Sequence, residues 1–123
     1  MKKYVFLVFT LFLSWAVFGQ TQMEINDIAA KEYELADKEL NLIYTKIRAK
    51  YANDPLILTK LRESQLLWIR FRDSAVEALY PEGPKTVNGA SMYRMLMYKF
   101  MERLTRDRIE QLHDCYMAGH YYP

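Results

Sequence analysis

The stretch Gln65-Leu66-Leu67-Trp68-Ile69-Arg70-Phe71-Arg72-Asp73 decides how this chain folds. On an α-helix, at about 100° of turn per residue, Leu61, Ala75 and Leu79 each project within about 20° of Trp68 and make a core-facing stripe. Gln65 and Arg72 fall inside the same arc, roughly 60° and 40° from Trp68. An amide and a guanidinium are thus aimed at the core. Arginine is rarely buried without a partner, so the flanking segments must supply carboxylates or carbonyls.

N-terminal to this helix, Asn53-Asp54-Pro55 punctuates the chain. Asp54 reads as an N-cap and Pro55 as the first helical residue, where a missing N–H costs nothing. The second helix therefore spans about Pro55 to Leu79. Before it, no Gly or Pro interrupts residues 24–52, and Ala29, Tyr33, Ala36, Leu40, Tyr44, Ile47 and Tyr51 recur at spacings of three and four. That pattern predicts a first helix from about Glu24 to Ala52, with Ile25 and Ile43 at the margin of its apolar face. Asp37 and Asn41, one turn apart on the rim of this face, are candidate partners for the buried arginine. So short a link between the helices favours antiparallel neighbours.

C-terminal to it, Pro81–Gly89 holds two prolines and two glycines and reads as the one substantial loop. Ser91 is the expected N-cap of a third helix reaching about Tyr116. Its inward face carries Tyr93, Met97, Phe100, Leu104, Arg108, Gln111 and Cys115, with Met101 and Leu112 beside them. A second arginine, Arg108, points inward. Gly119 is the expected stop, and Tyr121 and Tyr122 follow in a short tail. The fold class is all-α: a long helical hairpin with a third helix packed into it.

At the N-terminus, Lys2 and Lys3 precede an apolar run from Val5 to Phe18, which matches a secretory signal peptide cleaved after Gly19. About 14 apolar residues are short for a membrane span. The expected division is residues 1–19 as leader and 20–123 as one domain, placed in the periplasm or secreted. The 123-residue chain has 17 basic and 15 acidic residues, so loss of Lys2 and Lys3 leaves the mature protein neutral. No basic block remains to act as a nucleic-acid footprint. Cys115 is the single cysteine, so an exported domain here relies on packing rather than an internal disulfide. Of the chain's ten tyrosines, six phenylalanines and two tryptophans, nine, two and one lie beyond Gly19 and supply apolar area for it.

No enzyme constellation stands out. His113, Cys115 and His120 match no zinc spacing, Cys115 lacks supporting catalytic groups, and pairs such as Glu32 and Glu34 are common on solvated helices. The reading is therefore non-enzymatic, with no cofactor and no metal. The polar set Asp37, Asn41, Gln65, Trp68, Arg72, Asp73, Thr105 and Arg108 forms either a satisfied network fixing the register of three helices or a cleft for an acidic group. The network is favoured, because unpaired buried charge is costly and bidentate Arg–carboxylate pairs satisfy both partners. Within it, Asp37 is expected to pair with Arg72 or Arg108. In the loop, Glu82, Lys85 and Asn88 are the candidate binding residues.

The same segments carry a family resemblance. Ala36-Asp37-Lys38-Glu39-Leu40-Asn41-Leu42-Ile43-Tyr44 resembles the A-D-x-x-L-N-x-x-Y signature of the lysozyme inhibitor LprI-like family. Gln65-x-x-Trp68-Ile69-Arg70-Phe71-Arg72-Asp73 is similar to its Q-x-x-W-x-x-[YF]-R-D block, and Leu104-Thr105-Arg106-Asp107-Arg108-Ile109-Glu110-Gln111-Leu112 to its L-T-x-x-R-x-x-x-L block. Order and spacing agree over most of residues 29–112. Family members usually carry a pair of cysteines where this chain has Val76 and Phe100, so an apolar contact is expected in place of a covalent staple. Ala90-Ser91 stands where a Gly-Ser pair is common. The resemblance implies an exported, non-enzymatic binding protein, with lysozyme as partner and protection of the cell wall as its purpose. The alternative is a cell-envelope module that holds another envelope protein or an acidic ligand. Inhibition of a basic glycosidase calls for acidic or cleft-filling groups, and the loop offers only Glu82 as an acid.

Overall fold

Three uninterrupted stretches of sequence become three helices: α1 (Lys2–Lys50), α2 (Pro55–Leu79) and α3 (Val87–Leu112), the last continued by a π-helical turn, His113–Met117. The computed structural model describes residues 2–83 and 87–119, with side chains for 21–83 and 89–119. There is no strand among the described residues, and none of their helices is long and apolar enough to cross a membrane.

α1 starts at Lys2 rather than near Glu24, because the apolar run contains no proline and the backbone passes helically through Gly19. Only the backbone of residues 2–20, the expected leader and its cleavage point, is described; their side chains are not. The link to α2 is built as its sequence implies. Asp54 Oδ1 accepts the Ile57 backbone N–H at 3.1 Å, and Pro55 occupies the first turn. At the other end of α2 the Tyr80 N–H donates to the Val76 carbonyl. Gly83, at φ 63°, donates to the Tyr80 carbonyl and turns the chain where a side chain would be strained.

α3 begins at Val87, not at Ser91. Asn88 and Gly89 are therefore helical, the loop is shorter than expected, and Ser91 is not a cap. Its hydroxyl instead accepts a hydrogen bond from the buried Asn26 amide at 3.0 Å, which ties α3 to α1. The same offset along the chain recurs at Tyr33 with Tyr98 and at Tyr51 with Tyr116, so α1 and α3 run parallel. Contacts of Gln65 with Arg108 and of Tyr80 with Tyr93 set α2 antiparallel to α3, and Arg72 with Asp37 sets it antiparallel to α1.

The α1–α3 seam repeats every seven residues, Asn26-Tyr33-Leu40-Ile47 against Ser91-Tyr98-Thr105-Leu112, as in a two-stranded coil. Ala29, Ala36 and Thr105 are fully or almost fully buried in it. Small side chains let the two helices lie close, and α3 packs chiefly on α1, while α2 stands further off behind Trp68 and Arg72. The core cluster is Leu40, Ile47, Leu61 and Leu112, with Trp68, Tyr44, Tyr51, Ile109 and Tyr116 packed around it. Two expectations need correcting. Leu79, placed on the core stripe of α2, is 52% exposed; Val76, 7% exposed, and Tyr80, edge-on to Tyr93, fill the end of that face instead. On α3 the buried positions are Thr105 and Leu112, whereas Leu104 and Arg108 are half-buried and Gln111 exposed, because the face is set by the seam with α1.

The π turn is held by α1. A π turn leaves carbonyls that the α-helical ladder does not satisfy. The Tyr116 carbonyl accepts from Lys50 Nζ at 2.6 Å and from the Tyr51 hydroxyl at 3.2 Å, and the two tyrosine rings meet edge to face. Ala118 N–H closes the turn onto His113, and Gly119, at φ 70°, ends it.

Candidate functional site

The inward polar residues divide into two groups. The first surrounds Arg72, whose side chain is 13% exposed. Its Nε and Nη2 both lie 3.0 Å from Asp73 Oδ1, and its Nη1 is 3.8 Å from Asp37 Oδ1. The guanidinium also sits over the rings of Trp68 and Tyr33, at 5.4 and 5.9 Å, so its faces are covered by aromatic carbon and its edge by carboxylates. Asn41 donates to Asp37 Oδ2 at 3.5 Å from the next turn of α1. Burial pushes the Tyr33 hydroxyl above its ordinary pKa of 10.0. Arg72 opposes that shift, and Asp37 and Asp73 add to it.

The second group surrounds Arg108 and contains no acid. Its Nε donates to Gln65 Oε1 at 3.1 Å, its Nη2 to the Ser64 hydroxyl at 2.9 Å and its Nη1 to Gln111 Oε1 at 3.3 Å. Burial lowers its pKa. Thr105 belongs to neither group; its hydroxyl bonds the Met101 carbonyl one turn back, at 2.7 Å. Of these partners, Ser64 and Gln111 carry no sequence signal beyond their helical positions. Asn26 was missed for a similar reason: a single amide on a long polar helix does not announce that it is buried.

Between α1 and α2 lies an open groove of about 600 Å³. Trp68, Tyr44, Leu66 and Ile69 give it apolar walls, and Asp37, Arg48, Arg62 and Arg72 are its charged lining. A shallower hollow of about 450 Å³ lies on α3 and the π turn, lined by Asp107, Glu110, Gln111, Asp114 and Cys115 with no basic residue among them. Of the loop candidates, Glu82 is exposed on the turn after α2, Lys85 lies outside the described residues, and for Asn88 only the helical backbone is described. His113 Nδ1 is 3.4 Å from Asp114 Oδ1, and His120 lies outside the described residues. No group of three or more His, Cys, Asp or Glu among the described residues is placed to hold a metal ion.

The sequence from residue 17 to 112 matches the family model described as lysozyme inhibitor LprI. The chain belongs to the lysozyme inhibitor LprI family. The match spans all three helices, including the seam of α1 with α3 and both arginine groups. An uncharacterized protein of Rhizobium meliloti (strain 1021) is similar to this LprI-family chain, 32% identical over 103 residues that cover 75% of this chain and 71% of the relative. No solved structure matches it.

Proposed function

We propose that this LprI-family chain is an exported, non-catalytic protein that binds lysozyme and so protects the cell wall. The observation that carries the reading is the family match over residues 17–112. The hollow on α3 supports it. Lysozyme is a basic protein, and Asp107, Glu110 and Asp114 put three carboxylates around one concavity without a cation in its lining. On this reading export follows cleavage near Gly19, and residues 20–123 act as one domain.

The test is a lysozyme turnover assay titrated with the protein. A stoichiometric fall in turnover, with a complex detectable at micromolar concentration, is the expected result. Full turnover and no complex at that concentration would overturn the reading for the lysozymes tried. Replacement of residues 81–86 by a short neutral linker then separates the loop from the helix faces, and inhibition is expected to survive it.

A further inference from the structure

The groove between α1 and α2 holds positive charge that the fold does not use. Arg72 is fully engaged by Asp73, Asp37 and two rings, but Arg48 and Arg62 are exposed and make no ion pair or hydrogen bond among the described residues. The antiparallel register fixed by Asp37 and Arg72 brings Arg48 level with Leu61 and Arg62. Two unpaired guanidiniums therefore flank one end of the same groove. Like charges that share a groove repel one another, and an anion between them removes that cost.

Gln65 adds a donor. Arginine has no acceptor atom, so the bond from Arg108 Nε forces the amide oxygen of Gln65 towards α3. Its Nε2 hydrogens, on a residue that lines the groove, are left without a partner among the described residues. The half-buried Arg108 thus orients a neutral donor in the wall beside Arg62. Tyr44, Leu58, Leu66, Trp68 and Ile69 give the wall its apolar area, and its one carboxylate, Asp37, lies by Arg72, away from Arg48 and Arg62. A volume of about 600 Å³ falls within the range of small-molecule sites, which combine such walls with a few placed polar groups.

We propose that this groove binds a small amphipathic anion, with its carboxylate or phosphate head between Arg48 and Arg62 and its apolar body along Trp68 and Leu66. Arginine recognises either head through paired N–H donors. The proposal does not rest on lysozyme binding, because the groove is built by α1 and α2 and the acidic hollow by α3.

The experiment uses the full chain carrying Trp15→Phe, in which Trp68 is the only indole, since the protein has two tryptophans. Octanoate, octyl phosphate, 1-octanol and inorganic phosphate are titrated below their aggregation limits, followed by Trp68 emission and by calorimetry. Both amphipathic anions are expected to bind saturably and to shift the emission, and the stronger of the two identifies the head group. The neutral alcohol and bare phosphate are expected to bind about tenfold more weakly or worse, since a charged hydrogen bond is worth about that factor. Arg48→Gln with Arg62→Gln lowers affinity by about tenfold or more on the same ground, while Arg103→Gln, an exposed arginine of α3, leaves it unchanged. Equal binding of 1-octanol, an unchanged affinity in the double variant, an equal loss in Arg103→Gln, or no saturable binding of either anion would overturn the proposal.

Discussion

At the scale of single residues, Arg108 shows how a half-buried cation is kept without a carboxylate. Its three bonds go to neutral oxygens, so each partner matters more through what its loss strands than through what its bond contributes. Gln65→Leu is expected to destabilise the protein by about 1–3 kcal/mol in urea denaturation, because it leaves a half-buried donor unmet. The double variant Gln65→Leu with Arg108→Met should recover most of that loss, since replacing both partners by apolar groups removes the stranded charge. A double variant as unstable as the sum of the singles would refute this. Thr105 presents a packing case. Its hydroxyl bonds a carbonyl already engaged in the helix, so Thr105→Val should cost under about 1 kcal/mol, whereas Thr105→Leu pushes α1 from α3 and should cost about 1–3 kcal/mol. Tyr33 gives a pH dependence. Its folded pKa is raised by burial, so the stability it contributes is whole below the unfolded value of 10.0 and is lost as pH rises through the folded value. The difference in stability between the protein and Tyr33→Phe, followed by denaturation from pH 8 upward, should therefore change only above about pH 10. Arg72 was legible as an inward arginine from the wheel around Trp68. The acid-free surroundings of Arg108 were not, because a helical projection places Ser64 and Gln111 on their own helices without saying which arginine they will meet.

At the scale of elements, the sequence marks starts better than it marks register. Asp54-Pro55 fixes the beginning of α2 by local chemistry, and Asp54→Ala should lower stability by about 1 kcal/mol in thermal unfolding; an unchanged melting temperature would mean the cap contributes nothing. Gly83 makes the turn after the same helix at positive φ with open space around it, so Gly83→Ala should cost about 1–2 kcal/mol of backbone strain alone, and Gly83→Asn less. The start of α3 was misread for a physical reason. Ser91 has the chemistry of a cap, but its hydroxyl is taken by Asn26 across the seam, and Gly89 is tolerated inside the first turn. The exposed pairs Lys38–Glu34 and Lys60–Glu63 lie along single helices and add little. Arg106 does more, since it joins Glu102 on its own helix to Glu39 on α1.

At the scale of the whole molecule, helix number and order were legible from periodicity, and the pairing of helices was not. A short link suggested that α1 and α2 form the tight pair. The closest packing is between α1 and α3, where Ala29, Ala36 and Thr105 permit approach, and Trp68 with Arg72 holds α2 at a distance and opens the groove. The molecule therefore presents two faces of opposite charge made by different helices. Lysozyme is steered by one of them on the proposed reading. Asp107→Lys with Glu110→Lys should slow association and weaken inhibition, and inhibition by the unmodified protein should decline as salt is raised from about 0.05 to 0.5 M, because attraction between exposed charges is screened beyond a Debye length. Arg48→Gln with Arg62→Gln, on the opposite side of the charge balance, should leave inhibition unchanged or slightly stronger. If instead the arginine pair controls inhibition and the α3 carboxylates do not, lysozyme docks on the groove, and the acidic hollow is solvated surface.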